Sequence, residues 1–537
     1  MNKFILGVFM CILAACSQKK TEQTNRINTL RLNIPAEPPT LDPRKGGDIV
    51  SSCMQFMLFE GLTSLNPDSS TTPTQAESID ISADKTVYTF HIRRNANWSD
   101  GSPVTSYDFE KSWKDILSPS FPSPNAHLLY PIKNAEKIKK GELPLSSLGL
   151  NCPDPKTLVV TLEMPTPYFL QITAFCVLFP VHKSNDSSHP EWAQNDGPYF
   201  ISNGPFKMLK WRHSDELCLE KNPHYWNNEK TQFSGVNISM IGNEMTALNM
   251  YENGDLDMVG MPFSPLPLDA VKDLANRDVL QTRPLGGSTV AFFNMNKFPF
   301  NNLNIRKGFS LALNRESIIK NITQMNETVA LGMIPPVLKA NRTTEFYQDQ
   351  DTKNAQLCFE EGLKQLNISK EELSHLIFYY PNGEFYHKIA QAMQDQWLTT
   401  LGIRVRIEAL EQKVLLDKMS KKAFDFSLFY WCAQYDDPMN IFERFKIKGN
   451  VKNYSGWENS EYQKLLIASC YEDKKDLRLD ILEKAEKIIM DDMPFIPVYH
   501  WSFGFLKKDY LSDVYISPIG DIHIEKIKID GSKKSQS

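Results

Sequence analysis

Nucleophiles, acids and bases are plentiful in this 537-residue sequence, but their spacing builds none of the common catalytic constellations. No Gly-x-Ser-x-Gly turn lifts a serine onto a strand-helix elbow, and no His-Glu-x-x-His sets two imidazoles one helical turn apart for zinc. The ten histidines are scattered without ligand spacing. The expectation is therefore no enzyme, with no catalytic residues, no metal and no cofactor. Thiols are spread as widely: beyond Cys11 and Cys16 stand Cys53, Cys152, Cys176, Cys218, Cys358, Cys432 and Cys470, in no zinc pattern. An odd number leaves at least one unpaired within the chain, and which of them pair, if any, stays open. A net charge of -5 with no basic block or stripe gives no electrostatic footprint for nucleic acid.

The elements that must position any site alternate between strand and helix. Val87 to Arg93 sets Tyr88, Phe90 and Ile92 on one face, as a half-buried strand does. A turn at Ser99-Asp100-Gly101-Ser102-Pro103 follows, and Thr105 with Asp108 reads as a capping box opening a helix that carries Phe109 and Trp113. Phe385, Ile389, Met393, Trp397 and Leu401 recur every four residues along a second helix stopped by Gly402, and Ile403 to Ile407 alternates as a strand. Leu477, Ile481, Ala485 and Ile488 mark a third helix, ended at Pro494, before Phe495 to Tyr499 runs on extended. Helices alternating with single strands predict an α/β protein. Composition, 41% hydrophobic and 23% charged, suits a large globular body with length for about three or four domains.

The N-terminus sets the compartment. Lys3 precedes an apolar run, Phe4 to Leu13, too short for a permanent span and sized like a signal-peptide core. It ends in Leu13-Ala14-Ala15-Cys16, which resembles a bacterial lipobox: cleavage before Cys16 leaves an acylated N-terminus, residues 1-15 being the signal and 16-28 a polar tether. The alternative is an ordinary secretory signal with an incidental cysteine. No later stretch reaches the roughly 18 apolar residues of a transmembrane helix, so the expected membrane contact is the lipid on Cys16 alone, with the body exported and, in a Gram-negative host, periplasmic.

Six segments in order carry a family resemblance. Thr86 to Arg93, Asn97 to Thr105, Asp108-Phe109 and Ser112-Trp113 resemble the signature of the family 5 extracellular solute-binding proteins. The same family's segments are resembled by Pro35-Ala36-Glu37-Pro38-Pro39-Thr40-Leu41-Asp42-Pro43, by Leu58 to Leu62, and by Asn203 to Lys207 with Trp211 and Lys221 to Trp226. Asn294-Met295-Asn296 with Pro299-Phe300 and Ile305-Arg306-Lys307, and Phe424-Asp425-Phe426 through Trp431-Cys432-Ala433-Gln434-Tyr435-Asp436-Asp437-Pro438, complete the set.

The resemblance implies a two-lobed periplasmic-binding-protein fold of the large three-domain (cluster C) type, with the ligand enclosed between lobes that close as a hinge. By similarity, lobe I takes 29-65, 190-288 and 495-530, a small additional domain 66-189, and lobe II 289-494. The implied role is the solute-binding component of an ABC importer: a monomer that captures short peptides and delivers them to permease subunits. The alternative keeps fold and transport role for another ligand, such as a cell-wall peptide, nickel chelate, haem or sugar. Peptide binders bond the ligand main chain as an added strand. The candidate ligand residues are Glu37 and Pro38 from lobe I, and Phe292, Asn294, Tyr386, Trp431, Cys432, Ala433, Gln434 and Asp436 from lobe II. Phe292 reads equally as core packing, and Tyr386 as a solvated helix residue.

Two departures stand out. Where peptide binders of this family typically carry an aspartate for the ligand's amino terminus, this chain has Gln434; Asp436 or Asp437 takes over the amine, or the ligand presents its terminus differently, or the position faces water. Family members with a cysteine at 432 bridge it near the lobe crossing, but Gly286-Gly287-Ser288-Thr289 offers no partner.

Overall fold

A computed structural model describes residues 28–530 and Ser532; the signal segment and Cys16 lie outside the described residues. The described residues form two compact units. Those of the first lie within Met1–Glu163, Ile172–Pro267 and Phe505–Ser537, and the second comprises Met164–Gln171 and Leu268–Gly504. The units change over at 267/268 and 504/505.

In the first unit the chain runs β1 (Thr29–Ile34), α1 (Ile49–Leu58), β2 (Ala76–Ile81), β3 (Val87–Ile92), α2 (Ser106–Leu117), β4 (Leu150–Asp154) and β5 (Thr157–Thr161). It continues through β6 (Phe206–Arg212), β7 (Glu216–Lys221), β8 (Gly235–Met240) and β9 (Met258–Gly260). One sheet has the order β1-β8-β7-β6, with β1 and β8 parallel and Leu30, Leu32 and Ile34 facing Val236, Ile238 and Met240 in register. Their period-2 burial is the reason this stretch folds as a strand. The buried Asp257 holds its edge, accepting from Arg31 Nη2 at 2.5 Å, from the Arg31 backbone N–H at 2.7 Å and from the Tyr510 hydroxyl at 2.5 Å.

A second sheet, β2-β3-β5-β4, carries the expected strand, with Tyr88, Phe90 and Ile92 buried. At the start of α2 the Asp108 carboxylate accepts from the Thr105 N–H at 2.8 Å and its hydroxyl at 2.7 Å, which satisfies a donor that the first helical turn leaves orphaned. Phe109 and Trp113 are fully buried beneath it.

The second unit holds β10 (Gln281–Phe293), α3 (Leu303–Leu311), α4 (Thr352–Leu366), β11 (Ile377–Pro381), α5 (Glu384–Leu401), β12 (Arg406–Leu410) and β13 (Phe426–Cys432). After these come α6 (Ser460–Cys470), α7 (Lys475–Asp492) and β14 (Phe495–Lys507), whose last three residues pair with β9 inside the first unit. Strand order is β14-β10-β13-β11-β12, with β11 parallel to both neighbours and β10 antiparallel to β13. Phe293, Phe309, Phe378, Trp397 and Phe426 fill its core, and the Trp397 indole donates to the Phe309 carbonyl at 2.9 Å. The mixed strand-helix architecture is the two-lobed α/β class that the sequence indicated.

Two local differences have clear causes. The strand expected at 403–407 begins at Arg406: Ile403 and Val405 are buried, but pairing starts only where Arg406 meets Ile377. On α7 the buried face is Arg478, Leu479, Leu482, Ala485, Glu486, Ile489 and Met490, one position round from the expected stripe, and Leu477 is exposed. Hydrophobic periodicity misses this face because two of its buried members are charged. Arg478 pairs with Asp437 and Glu486 with Lys339.

Candidate functional site

The end of β13 is the natural place to begin. Gly287 faces Cys432 across the β10–β13 ladder, and the Ala433 N–H donates to the Gly286 carbonyl at 2.8 Å, so pairing persists one residue beyond the strand. The Trp431 ring lies 5.8 Å from Phe292 and 5.0 Å from Phe495, edge to face, with both Trp431 and Phe292 buried. Phe292 also meets Tyr454 at 5.2 Å, so its ring belongs to this aromatic cluster. Cys432 has glycine opposite it, and a Cβ at Gly287 would come within 2.6 Å of the Trp501 ring, which leaves no room for a bridging cysteine. No disulfide joins any of the seven described cysteines.

The chain after Gln434 is clamped from its buried side. Tyr435 stacks flat on Tyr168 at 4.9 Å, and both hydroxyls donate to Glu443, at 3.1 and 2.7 Å. Burial raises the Glu443 carboxyl above the ordinary range. Asp437 takes both guanidinium nitrogens of Arg478, at 2.6 and 2.8 Å, and caps Met439. This commits Asp437 to the fold and removes it as a substitute for the missing aspartate. Gln434 is half-buried and Asp436 is 5% exposed.

On the same segment stands a pair of cations that sequence reading missed. Arg444 donates through Nη2 to the Cys432 carbonyl at 2.7 Å, and Lys452 is close enough to feel its charge. Burial lowers the Arg444 pKa, and burial together with Arg444 pushes the Lys452 amine down to about 7. No spacing rule marks either residue, because Arg444 reaches the strand end from the short helical turn at Glu443–Phe445.

Tyr386, on α5, stacks over Tyr430 of β13 at 6.5 Å, and burial followed by the charge of Tyr430 pushes its hydroxyl well up. Tyr430 in turn lies 5.2 Å from Trp501, whose indole donates to Thr289. Tyr386 therefore borders an aromatic surface on β13. Asn294 is placed differently. Seven residues along β10 from Gly287, it sits roughly 20 Å from the Cys432 end, and its side chain holds the Lys422 and Phe424 carbonyls at 2.8 and 2.9 Å.

In the first unit, Pro38 is buried and Glu37 is bonded three ways. Its carboxylate accepts from the Trp211 indole at 2.5 Å, from the Ser214 N–H at 2.5 Å, and meets His213 Nδ1 at 3.1 Å. Trp211 and His213 belong to the β6–β7 hairpin, so Glu37 fastens the loop after β1 to it. A second carboxylate, Glu60, is half-buried where two of the family-like segments, Leu58 to Leu62 and Lys221 to Trp226, meet. It accepts from Tyr225 at 2.6 Å, Trp226 at 2.6 Å and Gln75 at 2.7 Å, and burial raises its pKa. Nearby, Gly204 lies so close to α1 that a Cβ would fall 2.5 Å from the Leu58 carbonyl carbon. Among the described residues no cluster of three or more His, Cys, Asp or Glu is arranged to hold a metal, and no helix is long and apolar enough to cross a membrane.

Comparison with known proteins places this geometry in context. The chain is 35% identical to the oligopeptide-binding protein OppA of Bacillus subtilis over 529 residues, covering 97% of each. It is 32% identical over 510 residues to the dipeptide-binding protein DppE of the same organism, covering 94% of this chain and 92% of that one. The crystal structure of Haemophilus influenzae OppA in complex with RPPGFSPFR superposes with a TM-score of 0.81 at 25% identity, covering 94% of this chain and 99% of that one. The model of the bacterial extracellular solute-binding proteins, family 5 middle region, matches residues 70–453. With that match over most of the chain and relatives alike from end to end, the protein belongs to the family 5 bacterial extracellular solute-binding proteins.

Proposed function

We propose that this chain captures short peptides outside the cytoplasm and hands them to the permease subunits of an ABC importer, performing no chemistry on them. The observation that carries the reading is its likeness over 97% of its length to a protein named for oligopeptide binding. On this reading Trp431, Cys432, Ala433 and Gln434 offer main-chain groups to an extended ligand, as in strand addition, with Asp436 and Tyr386 beside them. Glu37 and Pro38 act from the first unit. Phe292 and Asn294 serve as supports, since their side chains are occupied in packing and in holding the 422–424 loop. The protein works as a monomer, its three-domain division as the resemblance implied, and is held at the membrane by lipid on Cys16.

The test is thermal unfolding of ligand-stripped protein with synthetic free peptides of two to eight residues. Peptide at a hundred times its Kd stabilises by about 2.7 kcal/mol, a readily measured rise in Tm. No rise with any peptide at millimolar concentration, alongside a rise with a nickel chelate, haem or a sugar, would replace the peptide by that ligand. For the anchor, Cys16→Ala should release the protein from membranes into the soluble fraction; retention would refute lipidation at Cys16.

A further inference from the structure

Gln434 is bracketed by residues held in place. On one side the Ala433 N–H donates to the Gly286 carbonyl at 2.8 Å. On the other the Tyr435 ring lies flat on Tyr168, 4.9 Å away and 2° from parallel, and a little further on Asp437 takes both guanidinium nitrogens of Arg478. Tyr168 and Tyr435 are 3% and 1% exposed, and their hydroxyls converge on one carboxylate, Glu443. The Arg478 guanidinium also stands 5.7 Å from the Tyr168 ring.

Tyr168 comes from far away in the chain. It stands on Met164–Gln171, a strap that belongs to the second unit although the chain on both sides of it belongs to the first. Pro165 and Pro167 each fix a φ angle of the strap. Between them Thr166 makes a turn, its hydroxyl on the Met164 carbonyl at 3.1 Å and its carbonyl accepting from the Phe169 N–H at 2.9 Å. A flat stack fixes the separation of two rings, and directional hydrogen bonds to a shared acceptor fix their slide and rotation. Such a clamp is more than the packing of a core aromatic requires. It sets the Tyr435 ring in every direction, and with it the peptide link to Gln434.

We infer that Tyr168 is a positioning residue for ligand capture: from the strap, through Tyr435 and Glu443, it sets the main chain of Ala433 and Gln434 against an extended peptide. The inference rests on the peptide reading and deepens it, since Tyr168 acts on the ligand through another residue. Groups that bond a ligand must stand within about 0.5 Å of the productive geometry, held there by neighbours whose own rotamers are locked. The strap supplies that lock for the segment after β13.

The experiment sets Tyr168→Phe beside Tyr225→Phe in ligand-stripped full-length protein. Each deletes one tyrosine hydroxyl that donates to a glutamate, at 2.7 Å to Glu443 and at 2.6 Å to Glu60, so the bond lost is of the same kind and only its place differs. Thermal unfolding reads stability, and calorimetric titration with the free synthetic peptides that stabilise the wild type reads affinity. Both variants should lower Tm, but only Tyr168→Phe should raise the peptide Kd, by about fivefold or more, part of the worth of a hydrogen bond to a charged group. An unchanged Kd in Tyr168→Phe overturns the positioning role and leaves the residue as packing. An equal rise of Kd in both variants overturns it too, because general loosening then explains the loss. Should Tyr168→Phe fail to fold, Tyr435→Phe, which cuts the 3.1 Å bond to the same carboxylate, takes its place with the same outcomes. Wild-type protein that binds no free peptide overturns the peptide reading, and the positioning role with it.

Discussion

Glu60 in the first unit and Arg444 in the second are both half-buried charges, and they are bonded in opposite ways. Glu60 is surrounded by three donors from two distant stretches, Gln75 and the adjacent Tyr225 and Trp226, so that its acceptor capacity is used and the loops it joins are fixed. Arg444 meets only neutral oxygens and keeps a donor nitrogen in reserve. A satisfied buried polar node rigidifies its surroundings, whereas a part-satisfied one has capacity for something that arrives later. The contrast separates frame from site.

Removing the frame should show the largest effect. Glu60→Leu strands the Tyr225 hydroxyl, the Trp226 indole and the Gln75 amide, at about 1–3 kcal/mol for each donor left unsatisfied, and should lower the denaturant midpoint accordingly. A variant as stable as wild type would mean that the node carries no structural weight. On the site side, Gln434→Asp should tighten binding of free-amine peptides about tenfold and leave N-acetylated ones unchanged, since a carboxylate there pairs with a charged amine. Titration with both kinds of peptide checks it, and unchanged affinities for both would place residue 434 away from the ligand.

A finer test uses protons. Burial raises the folded-state pKa of Glu60 above its ordinary 4.5, so the stability linked to this group is fully present below the unfolded value and is lost as pH rises through the folded one. Glu60→Gln, which imitates the protonated acid, should flatten that fall in an unfolding series taken upward from pH 4. An unaltered slope would assign it to other groups. The smallest effect is expected for Arg444→Met, which strands no partner charge and should shift stability by less than about 1 kcal/mol. A loss as large as that of Glu60→Leu would make Arg444 part of the frame.

This division also explains what was legible in the sequence. Signals that depend on local physics came through: the Thr105–Asp108 cap, the α5 stripe ending at Gly402 in a left-handed conformation, and the alternation in β3. The motif-like residues Glu60, Tyr225 and Trp226 were readable as a family pattern, although nothing local says that they meet. Glu37 drew attention as a ligand residue from the same pattern, and the structure shows its carboxylate holding Trp211 and Ser214. Phe292 could be read two ways because a core aromatic and a pocket wall have the same composition. Its packing against Trp431, Tyr454 and Phe495 places the ring in the core. The face of α7 was misjudged by one position because hydrophobic periodicity gives no weight to Arg478 and Glu486, which are buried by virtue of their partners. Arg444 and Lys452 were invisible for the converse reason. Arg444 reaches the Cys432 carbonyl across twelve residues, and that is a property of tertiary structure alone.

The most direct test of the central claim is mass spectrometry of whatever the protein, purified from cells, releases on denaturation in acid. Short peptides are the predicted result. A single non-peptide species, whether a metal complex, a haem or a sugar, would contradict the assigned ligand.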